Sequence, residues 1–232
     1  MAQKLHYAQS GIQLPRNRFN RPSLHSPIDR QRGKVANFEV IAAVSETLRE
    51  TLRTALNAVD VTPKPTADLH DLQFDTPPRD PQLTIFLFEI GEDPSARNRP
   101  RIRETEPPDI KIKKPPVALV LRYLLTAWGG TQPGDQRTPQ LILGRAIQTL
   151  YDKAILSGPD LQGVLKDTDQ ALKVTMSPLS LEDRTRVWHA VQKPYRLSVS
   201  YEVRVVNLDS EIDASFKPVA RRTLDFDELE AS

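Results

Sequence analysis

The four histidines, His6, His25, His70 and His189, are the natural place to look for chemistry, and they are scattered along the chain. No two stand four residues apart and no HExxH occurs, so a metal site on one helix face has no support. His189, beside Trp188, reads as a helix-surface or packing residue. Serines are plentiful, but none sits in the GxSxG turn that presents a nucleophile at the end of a strand. Gly129, Gly130 and Gly134 lack the GK[ST] that completes a phosphate-cradling loop, so they read as a turn. Glu104, Glu106 and Asp109 lie in a proline-rich stretch that would hold an acid–base pair poorly, and they read as solvated charges. The chain has no cysteine, which excludes disulfides, thiolate metal sites and a cysteine nucleophile. These residues predict a protein that is not an enzyme and uses no cofactor.

Basic side chains form the other clusters. Arg16, Arg18 and Arg21 surround Phe19; Arg97, Arg99, Arg101 and Arg103 alternate; Lys111, Lys113 and Lys114 follow. Nucleic acid or an anionic membrane could neutralise them. A nucleic-acid reader, however, carries a basic excess across its whole domain, and here the formal net charge is only +2. Solvated loops, a disordered arm and protein contacts are the favoured readings, which makes these ten residues candidates for an interface.

The elements that would position them follow from composition and periodicity. Hydrophobic residues make up 38% and charged residues 27% of the 232, as in a globular protein. The 20 prolines against 9 glycines favour stiff connectors. No apolar run approaches the roughly 20 residues of a membrane span. No apolar stretch follows the charged N-terminus, so assembly in the cytoplasm is expected. Residues 1–36 are basic, lack periodicity and are predicted to be a disordered arm. Residues 37–208 are predicted to form the folded domain and residues 209–232 a C-terminal arm.

Within the domain, Asn37 is a candidate N-cap for a helix whose stripe runs through Ile41, Val44, Leu48, Leu52, Ala55, Leu56 and Val59. An edge strand is expected around Leu72 and Phe74, and a buried strand from Gln82 to Ile90. Glu92 to Lys114 reads as a long charged loop. Val117 to Leu125 alternates as a second long strand. Thr138-Pro139 then opens a helix with a stripe through Leu143, Ala146, Ile147, Leu150 and Tyr151, closed at Gly158. Leu172, Val174 and Met176 mark a third strand. Ser180 and Asp183 cap a short helix carrying Trp188. The clearest strand runs from Tyr195 to Asn207, longer than the usual five or six residues, with an end free to pair with a neighbour. Trp128, Trp188, Tyr123 and Tyr201 belong to the core or its rim. The predicted class is α+β, a mainly antiparallel sheet with helices packed on one face.

Six segments, in this order and at these spacings, carry a resemblance. They are VIAAVSETLRETL from Val40, TIFLFEI from Thr84, PPVALVLRYLLTAW from Pro115, LGRAIQTL from Leu143, VTMSPLSLEDRTRVWHAV from Val174 and PYRLSVSYEVRVV from Pro194. Over residues 38–208 the chain resembles the N-terminal domain of the cap proteins of extracellular contractile injection systems, a family similar to the tail terminators of contractile phages. The resemblance implies a structural ring, usually a hexamer, at the end of the inner tube and sheath distal to the baseplate. Such a ring stops polymerisation and holds the last sheath layer, so the implied partners are the protein itself, the sheath protein and the inner tube protein. The finished particle would be released or membrane-anchored. The arm before Asn37 has no counterpart in the resemblance. That leaves an alternative function: an adaptor or anchor whose arm attaches the particle to an anionic membrane or nucleic acid. The loop 92–114 and the two arms are the expected contact surfaces.

Overall fold

The computed structural model describes residues 37–97, 100, 102–106, 109–130, 132, 134–208 and 213–216. The predicted 1–36 arm lies outside them. Three helices, α1 (Val40–Leu56), α2 (Arg137–Asp152) and α3 (Leu181–Ala190), accompany two sheets. The larger has six strands: β1 (Thr66–Leu69), β2 (Gln82–Glu92), β5 (Val117–Trp128), β8 (Ser198–Leu208), β7 (Ala171–Met176) and β6 (Ile155–Ser157), in that spatial order. All neighbours in it are antiparallel except β1 and β2. The smaller sheet joins β3 (Ile102–Glu106), β4 (Asp109–Lys113) and β9 (Asp213–Phe216), antiparallel throughout.

Alternation along the central strands makes two apolar faces. From β2 and β5, Leu83, Ile85, Leu121, Tyr123, Leu125 and Ala127 face the side covered by α1 and α2. The α1 stripe of Val40, Val44, Leu48, Leu52 and Leu56, spaced by four residues, is fully buried there. Each such aliphatic side chain contributes about 1.5–3 kcal/mol when buried. Between the layers, Ser45 Oγ and Tyr123 Oη are 2.9 Å apart, so the buried phenol has a partner. The opposite face carries Leu124 and Trp128, which pack with Leu72 and with Trp188 of α3. Helices on one face therefore describe α1 and α2, while α3 lies over the other. The α+β class and the mainly antiparallel sheet are as predicted.

Several local readings are corrected. Leu72 and Phe74 do not form the edge strand, which is β1 at residues 66–69. Leu72 instead sits in a left-handed turn (φ 65°), and its side chain is buried under α3. The cap of α2 is not Thr138. The N-cap residue is Gln136, two residues earlier, and Asp135 Oδ1 accepts from the backbone N–H of Arg137 (2.8 Å) and Thr138 (3.1 Å). That helix ends at Asp152 rather than Gly158, because residues 155–157 turn back as β6, and Tyr151 is left 83% exposed. Ser180 behaves as predicted, its hydroxyl accepting from Asp183 N at 3.0 Å.

The segment 92–114, read as a loop, contains the β3–β4 hairpin, and β9 joins it from beyond the last periodic residue of the sequence. At the opposite end of β5, Gly129 has φ +69°, and a Cβ there would fall 2.0 Å from the Asp80 carbonyl oxygen. Only glycine fits that crossing.

Candidate functional site

The strands β2, β5 and β8 end together, paired Glu92 with Leu119 and Val117 with Leu208. From that end the chain runs into β3, back through β4 to β5, and out of β8 into β9. The small sheet is thus an extension of the three central strands, and most of the described candidate residues lie in it. Arg103 is on β3, Lys111 and Lys113 are on β4, and exposed Lys114 follows. Arg97 is exposed ahead of β3, its Nε 3.3 Å from Glu92 Oε2. Arg16, Arg18, Arg21, Arg99 and Arg101 lie outside the described residues. Register sets Glu104 opposite Lys111. The same alternation sorts the small sheet into two faces. One holds the positions of Ile102, Glu104, Lys111, Lys113, Asp213 and Ser215; the other holds those of Arg103, Thr105, Ile110, Ile112, Ala214 and Phe216.

At the root of this extension is a row of charges that sequence reasoning missed. On β5, Arg122 NH1 lies 2.6 Å from Glu89 Oε1 of β2, and its Nε lies 3.8 Å from Glu202 Oε2 of β8. Arg204 Nε then bonds Glu202 Oε1 at 2.8 Å, and its NH1 stands 4.0 Å from Asp93 Oδ2. The exposed Arg122–Glu89 pair contributes at most about 1 kcal/mol. Glu202 and Asp93 are far less accessible, with side chains 14% and 10% exposed, so each needs its partners. The hydrogen bond that Arg204 donates to Glu202, with the charges of Glu202 and Asp93, raises the Arg204 pKa. Asp93 also organises the exit from β2. Its Oδ1 accepts from Ser95 N (3.0 Å) and Ser95 Oγ (2.7 Å), and its own N–H donates to Ala118 O at 2.8 Å. The signal in the sequence was a charged residue within each of three strands: Glu89, Arg122 and Glu202.

The histidines have structural surroundings. His70 stacks on Phe74 with centroids 3.8 Å apart, and its Nδ1 accepts from Leu72 N at 2.8 Å. His189 is exposed on α3. Among the described residues no group of three or more His, Asp or Glu is placed to hold a metal ion. No described helix is long and apolar enough to cross a membrane. What this geometry offers is a three-stranded antiparallel sheet reached from the ends of β2, β5 and β8, with a row of paired charges on those strands.

A model of the Pvc16 N-terminal domain matches residues 43–222, spanning α1 through β9 and so including the small sheet. The chain belongs to this family. Two solved structures share the Pvc16 N-terminal fold. The PVC sheath/tube terminator of an extracellular contractile injection system, in its extended state, superposes with a TM-score of 0.57 at 22% identity, covering 83% of this chain and 65% of that one. The tube-terminating cap of the anti-feeding prophage gives 0.52 at 21% identity, covering 79% of this chain and 60% of that one. The chain thus spans about two thirds or less of each of these proteins. A search among curated proteins finds no match. The Pvc16 assignment agrees with the resemblance carried by the six sequence segments.

Proposed function

We propose that this chain terminates a phage-tail-like contractile injection system, forming a ring at the baseplate-distal end of its inner tube and sheath. The observation that carries the reading is the Pvc16 N-terminal match over most of the folded chain, with a fold shared by two terminator caps. Copies would meet through heterologous surfaces whose rotation closes, most simply as a hexamer, which keeps them from growing into a filament. The underside of the ring would engage the last tube ring and the last sheath layer. Growth would stop there for a geometric reason. A further layer would need a long open strand to pair with, and the outer strands of the large sheet have only 4 and 3 residues (β1 and β6). The role is structural and includes no bond-making or bond-breaking step.

Cryo-electron microscopy of intact particles tests this reading. Density for residues 37–208 is expected as a ring at the end distal to the baseplate, in contact with tube and sheath. Finding the chain at the baseplate, along the sheath or free of the particle would overturn it.

A further inference from the structure

The ring reading does not say which surfaces join one copy to the next, and the small sheet supplies a specific pair. Its order is β3-β4-β9, so among the described strands β3 and β9 each have one side unpaired. Both run antiparallel to β4 and therefore parallel to each other. Their starts lie at the same end of the sheet, because Ile102, Lys113 and Asp213 share a row. Charge separates the two edges. The chain enters β3 from a sequence with arginine at 97, 99, 101 and 103, and it enters β9 from one with Asp209, Glu211 and Asp213. In sequence, a basic stretch precedes the strand at one edge and an acidic stretch the strand at the other, a difference that would suit a translated or rotated copy.

We propose that β9 of one copy pairs in parallel with β3 of the next copy, row matched to row, so that the small sheets join edge to edge around the ring. This rests on the ring reading and names the contact that closes it. Rotation about an axis near the strand direction preserves strand polarity, which is why the junction is parallel while every pair within the small sheet is antiparallel. The junction sets Ile102 of one copy in the row of its neighbour's Asp213, and Arg103 in the row of Ala214. It also continues the face of Ile110, Ile112, Ala214 and Phe216 from copy to copy, with Phe216 meeting the Thr105 row. Main-chain hydrogen bonds would supply affinity, and the charges would set direction and register.

The chain has no cysteine, so introduced pairs report without background. Glu104 and Ser215 share the row that passes through Lys111. Within one chain they are two strand spacings apart, about 9.5 Å, beyond the roughly 7 Å that a disulfide spans between Cα atoms. The full-length Glu104→Cys/Ser215→Cys protein, assembled with its tube and mildly oxidised, should give a ladder of covalent multimers on non-reducing denaturing gels. Each single variant should remain monomeric. Rings seen by microscopy without a ladder would overturn the edge junction while leaving the ring intact. A covalent dimer from either single variant would mean like edges meet, which also overturns it. Absence of any ring on tubes carrying the unaltered protein would instead sink the ring reading, and this junction with it.

Discussion

Tyr123 is fully buried between α1 and the sheet, and burial drives its phenol pKa upward more strongly than the Ser45 hydrogen bond lowers it. Tyr201, also in that core, is shifted up by burial as well. The sign of the consequence follows from proton counts. Below about pH 10, the usual tyrosine value, both folded and unfolded chains hold these protons, and the two groups add no pH dependence. Above it the unfolded chain releases them while the folded chain keeps them, so stability falls as pH rises toward the folded values. Tyr123→Phe should cost about 1 kcal/mol at neutral pH through the lost hydrogen bond. Ser45 would keep its bond to the Ile41 carbonyl (3.2 Å). The variant should also lessen the alkaline decline by up to about 1.4 kcal/mol per pH unit. Urea unfolding at pH 8 and pH 11 measures both effects; an unchanged alkaline slope would refute the assignment.

Among elements, α3 is the one whose packing depends most on a single residue. It is short, and Trp188 is its one fully buried residue, with Nε1 donating to Ser198 Oγ at 3.3 Å. Ring packing extends the contact, since Trp188 meets Trp128 edge-on at 6.1 Å, and Trp128 meets Phe74 at 4.9 Å. Trp188→Ala should therefore cost about 3–5 kcal/mol in chemical unfolding. It should also expose α3 amides to hydrogen exchange before those of α1; equal protection of both helices would contradict this division of the core.

The same elements explain what could be read in advance. Leu197, Val199, Tyr201 and Val203 announce β8 because a half-wet strand needs strict alternation, and the four-residue spacing of α1 is equally plain. The β3–β4 hairpin was illegible because IRETE and DIKIK carry too little apolar alternation to separate them from a charged loop. Only pairing with β4 defines β9, and no local pattern reports a partner about a hundred residues away. The start of α2 was misplaced because Asp135 accepts from the backbone N–H of Arg137 and Thr138 and from the Thr138 hydroxyl, which leaves Thr138 inside the helix. The site suffered similarly. Its basic residues were visible as clusters, while the Glu89–Arg122–Glu202 row became a unit only once register brought three strands side by side.

On the scale of the whole molecule, a central six-stranded sheet leads into a small sheet whose described outer strands are β3 and β9. The proposed terminator would act by its position in an assembly. A terminator's effect is an absence of further growth, so length is its readout. The decisive measurement is the distribution of tube and sheath lengths in particles from a strain lacking this chain, imaged by electron microscopy. Tubes that lose their uniform length and end without a sealing ring are the predicted result. Particles of unchanged length with a closed distal end would contradict the account.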